Sequence, residues 1–339
     1  MKKFLLVLIV FVTFTSLSQE KEYLVFEYEE YTFPILIRGN LLSGKLIVFV
    51  QGGPGETAID FARSDYPKWK KTLENEIAIA YYDQRGLNQK VKSIDATKIT
   101  YDQYSKDLIA ISKMLKEQYN TEVYLMGHSA GGYMVLHTLQ YFSEESSFID
   151  GAIAVNTPIT SDHSAERYQY YRPLYLKNLA KEKIANNNNS LFWQQELDWI
   201  NSIDSITTRE GAYRWNRTVE SAFKPKKRKL TLRMAMKVLF SRPYNPFRYL
   251  NRKDNDQIED LLWEDRKHFP DFQNLSSIRE KLLLLTGRYD DVALPEEMEE
   301  ANRLIKNAQL IVLPDAGHES FLDQKNQFNQ AILNFIYYK

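Results

Sequence analysis

The run Leu46-Ile47-Val48-Phe49-Val50 is apolar at every position. Side chains of a strand alternate between its two faces, so such a run must be covered on both sides. Similar runs recur at Ile77–Tyr82, Val123–Met126, Ala152–Val155, Leu282–Leu285 and Leu310–Leu313. Stretches with helical apolar spacing lie at Tyr101–Gln118, Ala130–Tyr141 and Asp323–Tyr337. Buried strands separated by crossover helices make a parallel sheet clothed by helices. Two further runs, Tyr23–Tyr28 and Tyr31–Arg38, are separated only by Glu29-Glu30 and suit an antiparallel hairpin. The expected fold class is α/β, with an eight-stranded, mostly parallel sheet.

The alternation stops after Asn156-Thr157-Pro158 and resumes near Lys281. Between them lies a long polar stretch with most of the tryptophans (Trp193, Trp199, Trp215, Trp263) and helical periodicity in segments such as Leu230–Leu239. Asn186–Asn189 reads as a loop or helix end, and Lys224-Pro225-Lys226-Lys227-Arg228-Lys229 as a solvated basic face. A chain of 339 residues is near the upper limit of one core, which fits one domain carrying an insertion. The expected division is a signal peptide over residues 1–18, a core over 19–157, a helical cap over 158–276, and the rest of the core over 277–339.

The first segment has a charged start at Lys2-Lys3, an apolar run from Phe4 to Phe14, and small residues in Ser16-Leu17-Ser18. These are the three parts of a secretory signal. Cleavage after Ser18 would leave Gln19 first and send the protein to the periplasm or outside the cell. The apolar run is shorter than the roughly 20 residues of a spanning helix, so no stable membrane span is expected in the mature protein. An uncleaved N-terminal anchor is the competing reading.

Composition removes several classes of function. With 44 basic and 44 acidic side chains there is no electrostatic reason to expect nucleic acid as a partner. The absence of cysteine excludes disulfides, thiolate metal sites and a cysteine nucleophile. None of the five histidines pairs at the i, i+4 spacing of a helical zinc site, and neither metal nor cofactor is expected.

The chemistry-bearing residues cluster at the ends of the expected strands. Gly127-His128-Ser129-Ala130-Gly131 falls between the strand Val123–Met126 and a helix, the context of a nucleophile elbow. The glycines spare the tight turn a steric clash, and the helix start favours negative charge at the serine. Gln51-Gly52-Gly53-Pro54-Gly55 follows another strand, and its backbone N–H groups, with that of Ala130, would make an oxyanion hole. Thr286-Gly287-Arg288-Tyr289-Asp290-Asp291 places an acid beyond a third strand. Asp290 is the favoured partner for a histidine, while Asp291 could instead cap a helix near Pro295. Pro314-Asp315-Ala316-Gly317-His318 places a histidine beyond the last strand. His128 should point away from the hydroxyl, His137 should be packed or on the surface, and His163 and His268 should be ordinary cap residues.

Together Gly52-Gly53-Pro54-Gly55, Tyr82-Asp83-Gln84-Arg85-Gly86, Gly127–Gly131, Gly287-Arg288-Tyr289-Asp290 and Gly317-His318 resemble the prolyl aminopeptidase (proline iminopeptidase) branch of the α/β-hydrolases. The order Ser129, Asp290, His318 is the triad order of that fold. The resemblance implies Ser129 as nucleophile, His318 as base, Asp290 as acid, and Gly53 with Ala130 as oxyanion donors. It makes Asp83 and Arg85 structural braces, and gives Glu220 and Trp215 in the cap to substrate binding. Two departures stand out: Gln51 where the family usually has histidine, and Leu87-Asn88-Gln89 where it has a further glycine and serine. The expected activity is release of N-terminal residues from short peptides. A carboxylic-ester hydrolase is the alternative within enzymes, and a non-catalytic binding protein the alternative outside them.

Overall fold

A computed structural model describes residues 20–53, 56–87, 95–225 and 253–338. The expected signal peptide and its expected cleavage point lie outside these residues, as do Leu230–Leu239 and most of the basic run. The strands are β1 (Glu20–Tyr28), β2 (Tyr31–Gly39), β3 (Lys45–Val50), β4 (Ala78–Tyr82), β5 (Glu122–His128), β6 (Gly151–Val155), β7 (Leu282–Gly287) and β8 (Ala308–Leu313). The helices are α1 (Ala58–Ser64), α2 (Leu73–Glu76), α3 (Tyr101–Tyr119), α4 (Ala130–Tyr141), α5 (Arg172–Ala185), α6 (Ser190–Asn201), α7 (Arg209–Ala222), α8 (Lys253–Arg266), α9 (Pro295–Leu304), α10 (Ser320–Asp323) and α11 (Lys325–Tyr337).

One eight-stranded sheet runs in the order β1-β2-β4-β3-β5-β6-β7-β8. β2 pairs antiparallel with both β1 and β4, and every other pairing is parallel. The β1–β2 turn is made by Glu29 and Glu30, both at positive φ (44° and 61°), the backbone of a tight hairpin. The apolar runs have the two-faced burial that their composition requires. Leu46, Val48 and Val50 join a cluster with Leu108, Val135 and Met298, whereas Ile47 and Phe49 face Trp69, Phe328 and Ile332 on the opposite side.

Buried ion pairs brace this frame. Arg85 grips Asp107 through two hydrogen bonds of 2.8 and 2.6 Å and lies 5.0 Å over the Tyr31 ring. Asp83 accepts the Ile59 N–H at 3.2 Å. Both brace the segments after β3 and β4, the structural role expected of them.

Between β6 and β7 the elements of the described residues are helices, α5 to α8 among them. Tyr171, Leu176, Trp193, Ile200, Ile206 and Trp215 form a core of their own there. The asparagine run ends α5 and precedes α6, with Asn187 and Asn189 at positive φ. Arg167 donates to Glu297 of α9 at 2.9 Å, and Arg288, beside the acid loop, pairs with Glu182 of α5 at 2.8 Å. These contacts fasten the helical segment to α9 and to the loop after β7.

The C-terminal helix starts later than its apolar spacing suggests. Asp323 closes the short α10, its carboxylate accepting the Gly317 N–H at 2.9 Å, and Gln324 leaves helical backbone (φ −124°, ψ 48°) before α11 begins. No described helix is long and apolar enough to cross a membrane.

Candidate active site

Ser129 sits between β5 and α4 at φ 54°, ψ −125°, a strained conformation for a residue with a side chain. The strain is imposed by crossing backbones. A Cβ on Gly127 would lie 2.1 Å from the Gly131 carbonyl oxygen, and one on Gly131 would lie 2.3 Å from that of Val50. The turn holds only with glycine at both places, and it lifts the serine off the strand axis.

The serine hydroxyl lies 3.0 Å from His318 Nε2. His318 Nδ1 in turn lies 3.0 Å from each carboxylate oxygen of Asp290. Because that carboxylate accepts, Nδ1 carries the proton and Nε2 is left to accept from the hydroxyl. Asp290 is fully buried, and its Oδ1 also accepts the N–H groups of Val292 (2.9 Å) and Ala293 (2.8 Å). Burial alone would raise its pKa. His318, the Ala293 N–H and the Asn156 amide outweigh it and hold the carboxyl below its usual range. For His318 burial would lower the pKa, but Asp290, then Asp291 and Glu319, raise it above the ordinary imidazole value. The chain of contacts is ionised at the acid end and basic at the imidazole.

Ala130 opens α4, where the first N–H groups of a helix lack intrahelical partners. The loop after β3 closes on the same place. A Cβ on Gly52 would come within 2.5 Å of the His128 carbonyl and 2.9 Å of Ser129 Cβ. Gly53 follows with φ +66°. Gln51, the departure from the family pattern, donates to the Glu56 carboxylate at 3.0 Å. A small pocket beside the elbow is lined by Gln51, Gln84, Tyr101, Ala130, Gly131, Met134 and Leu262.

The chain after α7 reaches this centre at Phe223, which stacks on Tyr289 (4.9 Å, 7°) and packs against Gly317. Lys183 of α5 donates to the Tyr289 hydroxyl at 3.1 Å. Trp215 is in a different place from the one expected. It is 1% exposed in the cluster with Tyr171, Leu176 and Trp193, its indole N–H donates to the Arg172 carbonyl at 3.3 Å, and the Arg172 guanidinium covers its ring at 4.6 Å. No face of the indole is left for a substrate. Glu220 is exposed at the end of α7, and its charge reaches Asp291. Asp291 is half-buried. Burial, Asp290 and Glu220 raise its pKa. Asp291 does not cap α9, whose N-cap is Leu294 with Pro295 entering the first turn.

Asn156 was not singled out by its sequence context. It stands at the end of β6, fully buried, with its amide 2.7 Å from the second oxygen of Asp290. An asparagine after a buried strand is an ordinary loop signal, so nothing local marks it.

His128 does turn from the hydroxyl. Its Nε2–H donates to the His318 carbonyl at 2.9 Å, and its ring meets Phe321 edge-on at 5.1 Å. His137 is packed among Tyr101, Tyr141 and Phe269, with Nδ1 3.0 Å from the Ser105 hydroxyl. His163 and His268 are exposed. Burial lowers both His128 and His137 to a pKa of about 3. The unfolded chain therefore binds two protons, between pH ~6.5 and ~3, that the native protein refuses, and stability falls as pH drops through that window. Each contributes a slope of about 1.4 kcal/mol per pH unit. His137→Phe is expected to remove about that much slope between pH 6.5 and 5 in urea unfolding. An unchanged slope would contradict a neutral, buried His137.

The family follows from fold and sequence together. The family model described as alpha/beta hydrolase fold matches residues 45–325. The chain belongs to that family. A probable aminopeptidase, YbaC of Bacillus subtilis (strain 168), is 29% identical over 142 residues, which is 41% of this chain and 43% of the relative. The chain thus aligns with less than half the length of that curated relative. Among solved structures, proline iminopeptidase of Mycobacterium smegmatis superposes with a TM-score of 0.58 at 13% identity, over 93% of this chain and 98% of its own. A thermophilic esterase of Thermogutta terrifontis gives 0.53 at 19%, over 94% and 98%. These identities carry the fold alone. Among the described residues no group of histidine and carboxylate side chains could hold a metal ion.

Proposed function

We propose that this protein is a serine hydrolase that cleaves N-terminal residues from short peptides, in the manner of a proline iminopeptidase. The observation that carries the chemistry is the hydrogen-bonded chain Ser129–His318–Asp290. In this reading His318 Nε2 takes the Ser129 proton as Oγ attacks the scissile carbonyl. The oxyanion is held by the N–H groups of Ala130 and Gly53. The imidazolium then gives its proton to the leaving amine, and the acyl-enzyme forms. Water, deprotonated by the same imidazole, attacks the acyl group, and the proton returns to Ser129.

Support for a substrate with a free amino group comes from the charge beside His318. Asp291 and Glu220 lie close enough to raise the Asp291 pKa, and an ammonium group there would relieve that repulsion. The partial likeness to a probable aminopeptidase points the same way. Glu220 is exposed, so its contribution is screened. Glu220→Gln is expected to lower kcat/KM on a free aminoacyl-naphthylamide by on the order of 10-fold. Hydrolysis of an uncharged p-nitrophenyl ester of similar size should hardly change. Equal effects on both would remove Glu220 as the amine anchor. Strong ester turnover with no aminopeptidase activity in the parent protein would establish the ester hydrolase instead.

A further inference from the structure

Asn156 is held at φ 46°, a left-handed conformation that asparagine tolerates better than most residues, while its backbone N–H donates to Leu285 of β7 at 2.8 Å. Its side chain therefore leaves the strand end in one fixed direction. On one side the amide nitrogen donates to Asp290 Oδ2 at 2.7 Å and to the Gly317 carbonyl at 3.2 Å. On the other, the amide oxygen accepts from the Ser320 hydroxyl at 2.5 Å, and Ser320 is itself fully buried. Two acceptors facing the nitrogen and one donor facing the oxygen permit a single orientation of the amide.

We propose that Asn156 is a positioning residue of the active site, its Ser320-oriented amide fixing the Asp290 carboxylate against the loop that carries His318. The proposal rests on Ser129, His318 and Asp290 acting as the triad. Its distinct content is the division of labour at the carboxylate. Oδ1 is held by two backbone N–H groups, whereas Oδ2 meets the Asn156 amide and His318. His318 Nδ1 stands equally far from both oxygens, so losing the Asn156 amide frees one side of the carboxylate to turn. The same amide touches the peptide just before His318, while Ser320 lies two residues beyond it. One side chain thereby ties the acid loop to both flanks of the base. Without that donor the carboxylate is also more basic and holds the imidazolium more firmly.

Asn156→Gly tests this with the backbone spared, because glycine accepts the left-handed conformation without strain. On a p-nitrophenyl ester kcat is expected to fall about 10- to 100-fold, the range for losing a hydrogen bond to a charged group, with KM nearly constant. The acid limb of the kcat/KM profile should move to higher pH. Ser320→Ala should move both readouts the same way by less, since the amide then loses its orientation but not its donors. Asn156→Asp keeps the shape without the donors and should not rescue activity. Should the glycine variant fold poorly, the serine and aspartate variants carry the same two readouts. A lower melting temperature with kcat and acid limb unchanged would reduce Asn156 to a structural role and overturn the proposal. Ser129→Ala, run alongside, separates this from failure of the triad itself. If that control retains turnover the triad reading falls, whereas an inactive control with an unaffected Asn156→Gly refutes only the positioning role.

Discussion

Ser129→Ala is expected to reduce turnover about 10⁶-fold on peptide and ester alike, and to abolish labelling by a fluorophosphonate probe. The size follows from the route. On the proposed route no acyl-enzyme forms without Oγ, and His318 faces an empty position instead of a hydroxyl 3.0 Å away. No second nucleophile of comparable strength can substitute, because the chain contains no cysteine. The fold should be unharmed. The strained backbone at φ 54° is imposed by the glycine contacts and not by the serine side chain, which makes no capping hydrogen bond to α4. An alanine there meets the same strain at similar cost. Melting within a few degrees of the parent, together with lost labelling, is the expected pair of results. Labelling that survives would place the nucleophile elsewhere.

What the sequence reveals about this centre depends on how local each cause is. Ser129 is legible because strand, turn glycines and helix start are consecutive in the chain. The strand Leu46–Val50 is legible because burial on both faces leaves no room for a polar residue. Asn156 is hidden because its partners are 134, 161 and 164 positions away and meet it only when three strand ends converge. Trp215 misleads for the opposite reason. A tryptophan in a cap helix has the same local pattern whether its ring faces a ligand or the Arg172 guanidinium, and the packing of α5 against α7 decides between them. Gln51 shows a third case. Its difference from the family is visible in the chain, but its partner Glu56 emerges only from the fold of the loop.

The neighbouring aspartates separate on the same grounds, and they give the second large effect. The Asp290 N–H donates to the Gly287 carbonyl at 3.2 Å, a turn that swings this side chain inward beneath His318. Asp291, one position on, is left half-buried. Asp290→Asn is expected to lower kcat about 10⁴-fold with little change in geometry. The amide can donate to Nδ1, which leaves the proton on Nε2, where it can no longer accept from Ser129. It also withdraws the charge that lifts the His318 pKa, so residual activity should persist to lower pH than in the parent. Asp291→Asn changes no hydrogen bond to the imidazole and removes a weaker source of the same field. On an uncharged ester its cost should stay within about 10-fold, with a smaller shift of the acid limb in the same direction. Measured together, the two variants should differ by at least about 10³-fold. A reversed ranking on the ester would make Asp291 the acid and leave the sheet, the elbow and the Ser129–His318 contact as described.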